Sequence, residues 1–179
     1  MPGATSRCAG CNRERGIATS RILVAGIGNI FLGDDGFGPE VIRQLPPRLA
    51  SERVQLVDYG IRGLHLAYDL LDECDALVLV DAIPSEISPG TVHVFEADHD
   101  SLTSTSGLDA HAMDPAAVFA TLDALGGTPP HTVVIGCEVG SVEEGIGLSD
   151  AVTAAVPHAV RAVQDVVAEL LTCCAVREG

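Results

Sequence analysis

The chain contains no lysine: its ten cations are all arginine, set against 25 carboxylates. This excludes Schiff-base chemistry and a lysine general base, and it removes the Gly-Lys pair that a Walker phosphate loop requires. No apolar run reaches membrane-spanning length. Residues 1–20 are polar, carry Arg7, Arg13 and Arg15, and have no apolar centre, so they do not read as a secretory signal. A cytoplasmic location is expected. Cys8 and Cys11 form a C-x-x-C pair, but no second pair of similar spacing follows, and the adjacent Cys173 and Cys174 suit a single metal poorly. Reduced thiols are expected. No His-Glu-x-x-His or Gly-x-Ser-x-Gly is present, which disfavours a standalone zinc protease or a serine hydrolase. The scarcity of cations leaves a net charge of −15, which argues against nucleic acid or anionic membrane as partner. It favours either a partner with basic residues or plain solubility.

What is present is a chain of 179 residues, 47% hydrophobic, enough for one domain with a full core. We expect an extension over 1–20, one domain over 21–173 and a tail over 174–179. The chain is organised around Ile22–Glu40, ILVAGIGNIFLGDDGFGPE. A short buried-type strand, Arg21–Ala25, runs into Gly26, Gly28, Asn29 and Gly33, and then into Asp34 and Asp35. Gly36, Gly38 and Pro39 open a helix to Leu45, with Asp35 at the N-cap position. A dinucleotide fingerprint needs a third glycine where Phe31 stands, and two carboxylates would repel a phosphate. The loop therefore presents acid.

Further strands are expected at Val54–Val57, Ala76–Val80, Thr91–Glu96 and Thr132–Gly136. Helices are expected at Gly63–Leu71, with Leu64, Ala67, Tyr68 and Leu71 on one face, and after the Asp114 cap and Pro115 as far as Gly126-Gly127. A last helix should begin near Ser149 or after Pro157, with apolar positions 152, 156, 159, 163, 166 and 170. Alternating strands and helices imply an α/β domain with a largely parallel sheet covered on both faces. About ten residues join strands three and four, too few for a parallel crossover, so strand four should be antiparallel. In such sheets sites form beyond the carboxyl ends of the strands. Asp35 follows strand one, Asp81 ends strand three, and His111 precedes a helix that must descend from that edge. Two carboxylates and an imidazole there would make a metal site with open positions. Taken singly, each residue also has a plainer reading: a cap, a strand-end turn, a polar loop histidine. Asp58 reads as holding the Gly60–Gly63 turn. His65, His93, His99, His131 and His158 read as surface or packing residues.

Gly26, Gly28, Asn29, Asp34, Asp35, Gly36 and Gly38 together resemble the Gly-x-Gly-Asn…Asp-Asp/Glu-Gly-x-Gly motif of the maturation endopeptidases of nickel–iron hydrogenases. Asp58-x-Gly-x-x-Gly63 and Gly145-x-Gly-Leu-Ser149 also match, and the resemblance covers about 22–172. Val139 departs from it where many relatives carry proline. The resemblance implies a three-layer α/β/α, phosphorylase/hydrolase-like fold, a five-stranded twisted sheet in the order 2-1-3-5-4 with strand four reversed. It implies that Asp35, Asp81 and His111 are the catalytic and metal-meeting residues. Asp34 is left as loop orienter or acid/base helper, and Gly26, Gly28, Asn29, Gly36 and Gly38 shape the loop. The implied activity removes the carboxy-terminal extension of the hydrogenase large-subunit precursor after nickel insertion. The nickel is presented by the substrate and no permanently bound cofactor is expected. A metallohydrolase holding its own ion and a non-enzymatic nickel-site chaperone are the alternatives; nucleotide binding ranks below both.

Overall fold

The computed structural model describes residues 21–72, 74–97 and 115–175. In chain order they form β1 (Ile22–Ile27), a 3-10 turn (Gly33–Gly36), α1 (Phe37–Gln44), β2 (Val54–Gly60), α2 (Gly63–Asp69), β3 (Ala76–Pro84), β4 (Val92–Glu96), α3 (Pro115–Ala124), β5 (His131–Val139) and α4 (Asp150–Ala175). The strands make one sheet in the order β2-β1-β3-β5-β4, all parallel except β4, which runs antiparallel to β5. The short connection between β3 and β4 forces that reversal, as expected.

β1 and the first part of β3 are buried on both faces, which is why they read as unbroken apolar runs. On one face Val24, Val78 and Ile135 meet Val41 of α1 and Val152, Val156, Ala159 and Val163 of α4. On the other, Ala25, Leu77 and Leu79 meet Leu66 and Ala67 of α2 and Val118, Phe119 and Leu122 of α3. Helices thus cover both faces, giving three layers.

Several boundaries differ from expectation. Asp35 is not a helix cap: it lies inside the 3-10 turn, and α1 starts at Phe37 with Gly36 before it. α1 stops at Gln44 because Pro46 holds Leu45 extended, at ψ 138°. Asp81 does not end β3. The strand continues to Pro84 because β5 runs alongside it through the Pro84–Val139 pair, and neighbour pairing outweighs the poor strand preference of Asp and Pro. α2 buries Leu66 and Ala67, with Leu70 at its end, and leaves Leu64 and Tyr68 more than half exposed. Of the expected face only Ala67 is buried: packing against α3 turns so short a helix to bury Leu66 and Leu70 beside it. α4 is one helix through Pro157, with its first turn before the proline already buried at Val152 and Val156. Cys8, Cys11, His99, His111 and Asp114 lie outside the described residues.

Candidate active site

The loop after β1 is held by close backbone approaches at four glycines. Gly28 adopts φ +130°, and a Cβ there would run into the carbonyl oxygen of Asp35. Its N–H donates to the Gly60 carbonyl at 3.0 Å, tying the loop to the end of β2. Gly38, at the start of α1, lies against the carbonyls of Ile27 and Val80; a Cβ would stand 2.5 Å from the Val80 oxygen. Gly26 in turn faces the Gly38 carbonyl, and Gly36 backs onto Ile30. Only chains bare of side chains pack this closely. The consequence is positional: the start of α1, directly after the turn carrying Asp35, is pressed onto the strand residue immediately before Asp81.

Asp81 is the first β3 residue past the β1–β3 ladder, which ends at the Gly26–Val80 pair. Beyond it β3 is paired with β5 alone, so Asp81 stands at a step in the sheet. Its Oδ1 accepts the N–H of Ala82 at 2.8 Å. Asp35 Oδ2 accepts the N–H of Asn29 at 2.6 Å, and Asn29 Oδ1 accepts the N–H of Phe31 at 3.0 Å, so Asn29 folds its own loop around the carboxylate. Asp35 and Asp81 are both buried, at 7% and 8% exposure. Two ionisable carboxylates from distant segments thus meet one edge of the sheet, where each can accept a proton or grip a cation.

Asp34 is differently employed. Its Oδ1 accepts the Ser149 N–H at 2.6 Å and its Oδ2 the Ser149 hydroxyl at 3.0 Å. The Ser149 oxygen also receives the N–H of Val152 in the first turn of α4. Asp34 therefore orients the acidic turn against α4. Asp58 holds its turn as expected, its Oδ1 accepting the N–H of Gly60 at 2.9 Å.

Sequence reasoning passed over Glu138. This β5 carboxylate is fully buried and gathers the 85–88 loop around itself. Oε2 accepts from the Ser85 hydroxyl and from the N–H groups of Glu86, Ile87 and Ser88, while Oε1 meets His93 Nε2 at 2.8 Å. Burial pushes its pKa up, but the Ile87 N–H, His93, the Ser85 hydroxyl and the Ser88 N–H outweigh that and bring it down to about 2. The signal was an acid inside the otherwise apolar run TVVIGCEV. The neighbouring Cys137 is buried, and that burial, with Asp34 nearby, pushes its thiol up to about 11, so it is no nucleophile.

The profile described as hydrogenase maturation protease (HycI) matches residues 39–166. The chain belongs to the hydrogenase maturation protease family. It is 34% identical over 146 residues to a putative hydrogenase maturation protease of Methanocaldococcus jannaschii, covering 79% of this chain and 93% of that one. It is 31% identical to the hydrogenase 2 maturation protease of Escherichia coli, covering 80% and 88%. Among solved structures it resembles the E. coli hydrogenase maturating endopeptidase HybD at TM-score 0.70 and 29% identity, over 83% of this chain and 93% of that one. The hydrogenase maturation protease HybD of Thermococcus kodakarensis matches at TM-score 0.65 and 26% identity, over 82% and 99%. This hydrogenase maturation protease is thus a peptidase built on their fold, and Asp34, Asp35 and Asp81 lie in its glycine-loop edge. None of its described helices is long and apolar enough to cross a membrane.

Proposed function

We propose that this protein is the cytoplasmic endopeptidase that removes the carboxy-terminal extension from the large-subunit precursor of a nickel–iron hydrogenase, after nickel has been inserted. The observation that supports the reading is the edge shared by Asp35 and Asp81, buried carboxylates 46 positions apart that follow the ends of the paired parallel stretches of β1 and β3. His111, which lies outside the described residues, would complete the set. The ion is cargo: it arrives on the client's thiolates, and the two acids and the imidazole meet it there. A precursor without nickel lacks that feature, so cutting reports that insertion is complete.

Two roles for the ion are compatible with this edge. It acts as a Lewis acid on the scissile carbonyl or a water, or it only docks the client while Asp35 activates water. Asp34 has both its oxygens engaged by Ser149, which suits it to orienting the turn. The test is processing of nickel-loaded and nickel-free precursor by purified protein, followed by mass. Cleavage of the loaded form alone, lost in Asp35→Ala, Asp81→Ala and His111→Ala variants that retain their circular dichroism, supports the reading. Equal trimming of both forms overturns metal-guided recognition. A stoichiometric ion in the isolated protein favours a metallohydrolase instead, and bound but uncut precursor favours a chaperone.

A further inference from the structure

Around the two buried acids, the loops leaving the parallel strands are apolar at their tips. Phe31 after β1 is 61% exposed, Ile61 after β2 59%, Leu64 at the start of α2 56%, and Ile146 after β5 82%. These tips are not scattered. The Gly28 N–H donates to the Gly60 carbonyl, which joins the Phe31 loop to the Ile61 turn. The Gly145 N–H donates to the Phe31 carbonyl at 2.9 Å and the Gly145 carbonyl accepts from Gly33 at the same distance, which joins it to Ile146. One backbone-linked crescent therefore runs from Leu64 through Ile61 and Phe31 to Ile146. Asp35 lies directly beneath it, its carboxylate held by Asn29 and its N–H by the Leu32 carbonyl. Large exposed apolar side chains on loops tied to one another mark an interaction surface.

The charge around the band specifies the partner. The segments 28–36, 58–63, 81–91 and 140–149 hold the carboxylates of Asp34, Asp35, Asp58, Asp81, Glu86, Glu143 and Glu144 and one cation, Arg62. Arg62 is exposed but folds back along its own turn, its guanidinium donating to the Asp58 and Tyr59 carbonyls. An apolar band on an acidic edge fits a segment that mixes apolar and basic side chains.

We propose that this crescent is the docking rim for the client, and that its occupant is the client's carboxy-terminal segment, held by apolar side chains on Phe31, Ile61, Leu64 and Ile146 and by basic residues facing the acidic loops. This rests on the endopeptidase reading above. It adds that affinity for the client lies in the rim, separately from the acids that act on it.

The test uses the full chain and the nickel-loaded large-subunit precursor. A Phe31→Ser, Ile146→Ser double variant should raise the precursor concentration for half-maximal processing at least about tenfold while leaving the maximal rate unchanged. Wild-type binding should weaken as salt rises from about 50 to about 500 mM. A Leu125→Ser variant, which removes an exposed apolar side chain after α3, away from these loops, should change neither. Unchanged half-saturation in the double variant overturns the rim and leaves the endopeptidase reading standing. If wild-type protein does not cut the precursor, the endopeptidase reading fails, and calorimetric binding of the same precursor decides the rim: weakened binding in the double variant supports it, equal or absent binding overturns it. A wild-type dimer in sedimentation that the double variant abolishes assigns the rim to a second copy of this chain and also overturns it.

Discussion

The carbonyl oxygen of Asp35 occupies the place where a side chain on Gly28 would begin. The loop can close over the acidic turn only because position 28 has no Cβ and tolerates φ +130°. Gly28→Ala should therefore move Asp35 as well as strain the backbone. The expected outcome is loss of precursor processing by on the order of 100-fold or more, since displacement of about 1 Å suffices for that. Gly126→Ala is the control: it also carries positive φ, but nothing lies within 4 Å of the new methyl group. It should cost roughly 1–2 kcal/mol of stability and leave processing intact.

Asp34 and Ser149 should behave as one unit. Removing the carboxylate in Asp34→Ala takes the charged acceptor away from the Ser149 N–H and hydroxyl, and the loss should be about 2–3 kcal/mol. Ser149→Ala should lose less, about 1–2 kcal/mol, because its N–H still reaches Asp34 while the cap on Val152 disappears. The double variant should fall well short of the sum. Urea unfolding of the four proteins checks this.

The Glu138 knot predicts an acid dependence. Its folded pKa lies below the ordinary value, so its stabilisation is full above about pH 4.5 and is lost as pH falls towards about 2. Glu138→Gln should melt several degrees below wild type at neutral pH, and the gap should narrow steadily across that acid window. A gap that stays constant down to pH 2 would contradict the assignment. Melting curves at stepped pH measure it directly.

At the far end of α2, the buried Tyr59 hydroxyl donates to Asp69 at 2.6 Å. Burial and then Asp69 push the phenol's pKa well above its ordinary value. The contribution is therefore complete below about pH 10 and declines as the solution becomes more alkaline. Tyr59→Phe should cost about 1–2 kcal/mol at neutral pH, with the difference from wild type shrinking in strong alkali, as seen by chemical denaturation.

Much of this was legible in the chain itself. The LVLV run, the Asp-Pro helix start and the short β3–β4 connection suffice for the layers and for the reversed strand. Asp35 and Asp81 could be placed on one edge because strand polarity alone decides which end each occupies. What could not be read depends on contacts between distant segments. Leu64 and Tyr68 fit an apolar stripe as well as Leu66 and Leu70 do, and only α3 distinguishes them. Asp35 looked like a helix cap because a cap and a 3-10 turn ask for the same residues. Glu138 gave no local hint of its five partners, which come from the 85–88 loop and from β4. The exposed band on the exit loops was hidden for the same reason: Phe31, Ile61 and Ile146 become neighbours only through Gly28–Gly60 and Phe31–Gly145.

The Asp34–Ser149 clasp joins residues 115 positions apart. During synthesis the glycine loop and its acids leave the ribosome long before the residue that anchors them, and amino-terminal parts of a chain begin to fold first. An unfinished chain thus carries the acidic turn without its fastening. The acidic turn is therefore fastened only once Ser149 and the start of the last helix have been made.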